Sequence, residues 1–233
     1  CAGRLMQAEL SALEAALAKP ERPVGAVVGG AKVSTKIELL ENLVNRLDLL
    51  VIGGGMANTF LAAMGAKLGK SLSEPDFFET AKDIMTQADK AGCRVLLPVD
   101  GLVAREFAAS ADHEVIQLGP DTVLADDQMV LDAGPNTVEL VKDAFAGLKT
   151  LIWNGPMGAF EMDAYSRGTM AMVQHLASSH ALTIVGGGDT DVAVHRAGES
   201  NNISYISTGG GAFLMLMEGK ELPGVKALEA NNQ

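Results

Sequence analysis

Lys32 and Lys36 follow directly on Gly29-Gly30 and stand four residues apart, a spacing that places two side chains on one face of a helix start. Cations are locally unfavourable at a helix N-terminus, because the backbone dipole there is itself positive. The pair makes sense if an anion sits between them; a solvated lysine face is the alternative. A second group, Gly187-Gly188-Asp189-Thr190, sets a carboxylate and a hydroxyl at another glycine turn. Thr190 could cap a helix and Asp189 complement its dipole. Beside phosphates, Asp189 instead suits Mg2+, which takes one or two carboxylates plus phosphate oxygens. A third stretch, Trp153-Asn154-Gly155-Pro156-Met157-Gly158-Ala159-Phe160-Glu161, has Asn154 and Glu161 as its main polar side chains. A carboxylate at the rim of a nucleotide site suits ribose hydroxyls, and an exposed loop acid is the competing reading for Glu161.

These groups share one setting. A short apolar run ends in glycines and a helical pattern follows. The runs are Val24–Val28 before Gly29-Gly30, Leu49–Ile52 before Gly53-Gly54-Gly55, Leu182–Val185 before Gly186-Gly187-Gly188, and Ile203–Ser207 before Gly209-Gly210-Gly211. Arg94–Leu97 and Thr150–Trp153 end instead in Pro-Val-Asp and Asn-Gly-Pro turns. Most are apolar on successive residues, so both faces should be buried, as in a parallel sheet. Between them lie apolar stripes at helical spacing: Ile37, Leu40, Val44, Leu47; Phe77, Ala81, Ile84, Ala88; Val138, Val141, Ala144, Phe145, Leu148; and Met170, Val173, Ala177. Alternating strands and helices imply βαβ units. The expected fold class is α/β, a three-layer αβα, doubly wound (Rossmann-like) six-stranded parallel sheet. Leu5, Leu10, Leu13, Ala16 and Leu17 predict a leading helix, ended by Pro20 and Pro23. Residues 1–22 are read as an inter-domain linker helix and 23–233 as the α/β domain. Glu114 to Leu131 breaks the pattern: two apolar runs flank Gly119-Pro120-Asp121 without room for a helix, which predicts a small hairpin or extended insertion.

In an open α/β sheet, ligands bind outside the carboxyl ends of the strands, and all four glycine clusters should fall there. Glycine lets a ligand approach the backbone, and each cluster is expected to open a helix whose free N–H groups attract phosphate. Tight turns alone would explain one cluster; four together predict a polyphosphate site. Two familiar motifs fail. The dinucleotide pattern G-x-G-x-x-G has Asn58, Asp191 and Leu214 where its third glycine belongs. Gly65-Ala66-Lys67-Leu68-Gly69-Lys70-Ser71 imitates a P-loop but has three residues between its glycines rather than four, and follows a helical segment.

The rest of the composition mainly excludes. Eighteen Lys plus Arg against 29 Asp plus Glu give a net charge of −11, which argues against a general nucleic-acid binder or a membrane-adhering protein. No apolar run nears the ~20 residues of a spanning helix. Cys1 and Cys93 cannot make a disulfide framework, so a reducing, cytoplasmic setting is expected. Cys93 reads as a buried hydrophobe, although Lys90 and Arg94 nearby could lower its pKa. His113, His175, His180 and His195 lack metal spacing, with His195 expected on a helix surface. Asp126-Asp127 reads as a turn, and Phe213-Leu214-Met215-Leu216-Met217 as core.

Taken in order, GGAKVSTKI (29–37), GGGMANTF (53–60), WNGPMGAFE (153–161), GGGDT (186–190) and STGGGAF (207–213) resemble the motifs of phosphoglycerate kinases. GKELPGV (219–225) is similar to that family's C-terminal end, and CAGRLMQAEL to the helix between its two domains. The resemblance implies reversible phosphoryl transfer in glycolysis, from ATP to 3-phosphoglycerate to give ADP and 1,3-bisphosphoglycerate. It implies that Lys32 and Lys36 hold the phosphates and the transferring group, that Asp189 holds Mg2+, and that Thr190 with the amides of Gly187 and Gly188 binds phosphate. The helix start at Gly209–Gly211 would stabilise transfer, so Lys32, Lys36, Gly188 and Gly211 form the expected catalytic set. Gly29, Gly30, Ala31 and Pro156 join the nucleotide-binding set, Glu161 takes the ribose, Asn154 lies near the triphosphate and Gly53, Gly54 and Gly55 line the adenosine pocket. Some members carry Gly where this chain has Val130, which touches the adenine contacts. The phosphoglycerate-binding N-terminal domain has no counterpart here, so the chain is expected to be the ATP/ADP-binding half, a monomer, and nearly inactive alone. A nucleotide-binding module without catalysis and a dinucleotide-dependent oxidoreductase are the competing readings.

Overall fold

The computed structural model describes residues 3–230. Cys1 therefore lies outside the described residues, as do the side chains of Leu5 and Leu17. A six-stranded sheet is built from β1 (Val24–Val28), β2 (Leu49–Ile52), β3 (Arg94–Leu96), β7 (Thr150–Asn154), β8 (Leu182–Gly186) and β9 (Tyr205–Ile206). Its order is β3-β2-β1-β7-β8-β9 with every pairing parallel, in registers such as Gly25↔Leu49, Val24↔Thr150 and Thr150↔Leu182. The remaining strands, β4 (Asp100–Ala104), β5 (His113–Gln117) and β6 (Met129–Ala133), form a separate antiparallel sheet ordered β5-β4-β6.

The unbroken apolar runs are buried on both faces because a strand sends successive side chains to opposite sides. Val24, Ala26, Val28, Leu50, Ile52, Ile152 and Ile184 enter one core, and Val27, Leu49, Val51, Leu151, Trp153 and Val185 the other. Over the first pack α1 (Arg4–Leu13), α2 (Ile37–Val44), α3 (Gly54–Ala63), α4 (Phe78–Ala91) and α8 (Gly211–Met217). Over the second pack α5 (Pro135–Phe145), α6 (Arg167–Ala177) and α7 (Gly188–Ala197); α9 (Pro223–Ala230) follows. The expected αβα doubly wound class is therefore found. Helix α4 illustrates the logic: Ala81, Ile84 and Ala88 recur at helical spacing and face the core. It stops where Gly92 turns left-handed at φ +74° and Cys93 N–H closes on the Ala88 carbonyl. Among the described residues, no helix is long and apolar enough to cross a membrane.

Three sequence expectations are corrected. The insertion is not a hairpin of two adjacent strands, because β4 lies between β5 and β6 and pairs with both. β4 escapes sequence reading since it begins at Asp100-Gly101, just past Pro98, where turn residues mask its pattern. The last strand shrinks from residues 203–207 to Tyr205–Ile206, an edge strand that pairs only with β8. Finally, Gly29-Gly30 does not open a helix directly, with consequences described next.

Candidate functional site

The strand order reverses direction of growth between β1 and β7, so the sheet splits open at their carboxyl ends. There the backbone turns touch one another. Gly29 N–H donates to Asn154 O (2.9 Å), Gly53 N–H to Val28 O (3.0 Å), Gly54 N–H to Met157 O (3.1 Å) and Met56 N–H to Gly30 O (3.0 Å). At Gly54, φ is +67°, and a Cβ would sit 2.6 Å from Gly30 O and 2.9 Å from Pro156 O. Only glycine lets these three turns meet. Gly187 is constrained similarly: φ is +101°, and a Cβ would fall 2.8 Å from Asn154 Nδ2.

Lys36 ties these turns together. Its Nζ donates to Gly29 O (2.6 Å) and Asn154 Oδ1 (2.6 Å), with Asn154 O at 3.3 Å. Asn154 is buried and passes the chain on, donating from Nδ2 to Gly186 O (2.8 Å). Burial drives the Lys36 ammonium down from its ordinary value to about 8, against the opposing pull of the Asp189 carboxylate. A lysine kept this costly in its charged form, beside open glycine turns, fits the binding of an anion.

The expectation that Lys32 and Lys36 share one face of a helix start is not met. Lys32 is extended, Val33–Thr35 makes a 3-10 turn, and α2 begins only at Ile37 with Lys36 as its N-cap. The Val33-Ser34-Thr35 sequence disfavours a helix. Val33 is pulled into the core, while Ser34 N–H and Oγ both donate to the Glu74 carboxylate (2.9 and 2.6 Å). Lys32 is thus exposed while Lys36 reaches inward.

Thr190 is fully buried, and its Oγ1 accepts from Gly155 N–H at 2.7 Å, so in this arrangement the hydroxyl braces the 155–158 turn. Asp189, in contrast, is exposed in the first turn of α7, and its carboxylate makes no hydrogen bond or ion pair among the described residues. No group of three or more His, Cys, Asp or Glu able to hold a metal is present among them. A free single carboxylate fits Mg2+, whose remaining ligands are commonly phosphate oxygens and water. Gly188 and Gly211, the first residues of α7 and α8, are exposed.

A cleft of about 400 Å³ opens beside these turns. Of the expected set, Gly30, Ala31, Gly54, Gly55, Pro156, Glu161 and Asp189 line it; Gly29, Lys32, Lys36, Gly53, Asn154, Gly187, Gly188, Thr190 and Gly211 do not. It is also lined by apolar residues that sequence reading does not assemble: Leu72, Pro98, Phe107, Met129 and Val130. Of these, Val130 is the position the family resemblance marks. A half-exposed Leu72 (48%) and an exposed Phe107 (65%) have no signature beyond being large apolar residues that the core does not claim. Asp132, which also lines the cleft, is buried. Burial pushes its carboxyl up to about 7, opposed by N–H groups of Gly168 and Ala133, both at 2.9 Å. A volume near 400 Å³ lined by apolar side chains, glycine turns and a few charged groups suits a nucleotide. The weaker candidates behave as expected: His195 is exposed on α7, Phe213 and Met217 are buried, and Asp127 is an exposed partner of Arg105. Cys93 is buried and far from thiolate chemistry, because burial and the Asp48 carboxylate push its thiol up to about 11.

A family model described as phosphoglycerate kinase matches residues 1–220. Among curated relatives, phosphoglycerate kinase of Roseobacter denitrificans is 67% identical over 233 residues, covering 98% of this chain and 59% of the relative. That of Ruegeria sp. is 58% identical, covering 98% and 58% respectively. Among solved structures, phosphoglycerate kinase from Coxiella burnetii superposes with a TM-score of 0.92 at 46% identity, covering 97% of this chain and 58% of that one. The Pyrococcus horikoshii enzyme gives 0.84 at 31% identity, covering 97% and 56%. The chain thus spans somewhat under three fifths of the relatives it matches.

Proposed function

The chain belongs to the phosphoglycerate kinase family, and from that membership we propose that it supplies the nucleotide-binding part of a phosphotransferase acting between MgATP and 3-phosphoglycerate in glycolysis. The observation that carries the reading is the meeting of the Gly29-Gly30, Gly53–Gly55 and Gly155–Gly158 turns at the sheet's opening, with Lys36 beneath them and the cleft beside them.

In this reading the triphosphate lies along the turns, with the amides of Gly187 and Gly188 and the exposed Lys32 drawn to its oxygens, and Gly211 at the next helix start. Lys36 shares its protons between the backbone and the phosphates. Asp189 would hold Mg2+, which would supply positive charge beside the phosphates. Glu161 takes the ribose hydroxyls, and the apolar lining with Gly53–Gly55 takes the adenosine. The bond between the γ-phosphorus and its bridging oxygen breaks as one forms to a carboxylate oxygen of phosphoglycerate, leaving ADP. Phosphoryl transfer asks the protein mainly for alignment and for positive charge near the equatorial oxygens, which these residues can supply. The same reading makes the protein a cytoplasmic monomer without nucleic-acid or membrane partners, in keeping with its charge of −11.

Thermal unfolding with MgADP, with NAD and with neither tests the assignment. A ligand at ~100 times its Kd adds about 2.7 kcal/mol, so MgADP should raise Tm by roughly 5–11 °C. Asp189→Ala should shrink that rise. A larger response to NAD would favour the oxidoreductase reading and overturn this one.

A further inference from the structure

Glu74 stands outside the cleft, on the segment between α3 and α4. Its backbone is fixed from two sides. Its N–H donates to Oγ1 of Thr59, fully buried in α3 (3.1 Å), and its carbonyl accepts from Phe77 N–H (3.0 Å). From that support the carboxylate reaches the turn that separates the two lysines. Oε2 accepts Ser34 N–H (2.9 Å) and Oε1 accepts the Ser34 hydroxyl (2.6 Å). Burial works against the ionised carboxylate, but the Ser34 bonds, the Val33 amide and the Lys32 charge favour it and hold its pKa below the usual value. The first N–H groups of a helical turn have no partner within it, and here a distant side chain supplies one.

The consequence falls on the lysines. With Ser34 released, α2 would be free to extend backwards by a turn, and Lys32 and Lys36 would take the shared face that their spacing implies. Like charges four residues apart on one helix face repel each other. Instead the turn closes on itself: Thr35 Oγ1 donates to Lys32 O (2.9 Å) and Lys36 N–H to Val33 O (2.8 Å). Lys32 stays extended and exposed, while Lys36 reaches inward to Gly29 O. Two cations held apart in this way can meet different oxygens of one polyphosphate. We propose that Glu74 is a positioning residue for phosphate binding, holding Val33–Thr35 as a 3-10 turn and thereby fixing where Lys32 presents its ammonium, an inference that rests on the nucleotide-binding reading above. The sign of its effect is diagnostic. Glu74 is an anion near a site for anions, so by charge alone its removal should tighten phosphate binding; as a positioning residue, its removal should loosen it.

Calorimetric titration with MgATP and with adenosine separates the two, using wild type, Glu74→Ala, Glu74→Gln, Lys32→Met and the Glu74→Ala/Lys32→Met double variant. Glu74→Ala should weaken MgATP about two- to fivefold, the range of one exposed charged contact, and leave adenosine, which has no phosphate, unchanged. Glu74→Gln keeps an acceptor for the Ser34 amide and can donate to its hydroxyl, so it should bind MgATP at least as well as wild type. In the Lys32→Met background, Glu74→Ala should add no further loss, whereas a general structural role would still cost affinity there. Thermal unfolding of each variant checks that it folds; should Glu74→Ala fail to, Ser34→Ala, which removes only the hydroxyl, should show a smaller loss of the same pattern. Unchanged or tighter MgATP binding in Glu74→Ala, or an equal loss with Lys32 absent, would overturn the inference while leaving nucleotide binding standing. If wild type binds no MgATP, the nucleotide-binding reading fails and this inference falls with it.

Discussion

Replacing Gly54 by Ala tests whether three backbone turns really meet at the mouth of the sheet. Two costs apply at this residue. Its φ of +67° is left-handed, which costs an L-residue about 1–2 kcal/mol, partly offset by the ~0.4–1 kcal/mol that Ala removes from unfolded-chain entropy. Its Cβ would also sit 2.6 Å from Gly30 O, 2.8 Å from Gly30 N and 2.9 Å from Pro156 O. All three are backbone atoms, which cannot rotate away as a side chain would, so overpacking adds about 1–3 kcal/mol. Gly92→Ala is the matched control: φ is +74°, yet nothing lies within 4 Å of its Cβ. Urea or thermal unfolding should give a loss of about 1 kcal/mol for Gly92→Ala and ~2–4 kcal/mol for Gly54→Ala. At about 2–4 °C per kcal/mol for this size, the falls in Tm are at most about 4 °C and roughly 4–16 °C. MgADP affinity should drop in Gly54→Ala and stay level in Gly92→Ala. Equal destabilisation would refute the packing of Gly54 against Gly30 and Pro156, and with it the argument for why glycine stands there.

Two further predictions follow from titrating groups and one from a thiol. Lys36, with its folded pKa lowered to about 8, should lose its proton as pH rises through that value, so MgADP affinity should fall between pH 7 and 9.5. An affinity level across that range would contradict the role given to its charge. The native pKa lies below the unfolded one, so stability should also rise between about pH 8 and 10.5, and Lys36→Met should lack that rise. Asp132 is shifted the other way, to about 7, so its contribution to stability is present in acid and is lost as pH rises through 7. Urea midpoints at pH 5 and 8 should therefore differ less in Asp132→Asn than in wild type, and identical differences would argue against the buried carboxylate. Cys93, in a Cys1→Ser background, should resist a thiol-reactive dye at pH 8 until the chain is unfolded. Fast labelling of the native protein would contradict its burial.

Much of the sheet was legible because it obeys one rule. Val24–Val28, Leu49–Ile52 and Leu151–Trp153 carry no polar side chain, as a strand buried on both faces requires, and the glycines after them mark where it turns. What escaped depended on distant partners. Helix α3 was expected from the glycine cluster that opens it, but Gly54, Gly55, Ala57 and Ala62 give it a weak stripe that does not show its burial, and Met56–Leu61 are buried throughout. β4 owes its existence to pairing on both sides. The lysine pair illustrates the limit most clearly, since spacing implied a shared helix face while Val33 burial and the Ser34–Glu74 bonds bent the segment between them. Glu161 and Asp189 do reach the cleft as the motifs suggested, but the Phe107 and Leu72 lining and the buried Asp132 are products of tertiary packing. No local pattern encodes them.

The central claim is that a magnesium nucleotide sits where these turns border the cleft, and amide chemical shifts read that location directly. Titrating a nitrogen-labelled protein with MgADP should move the amides of Gly30, Ala31, Gly54, Met157 and Gly187–Asp189, along with those of Met129 and Val130 in the apolar lining. Amides of the polar pocket around Arg105 and His113 on the small sheet should stay still. Shifts confined to that pocket, or none at saturating MgADP, would contradict the account.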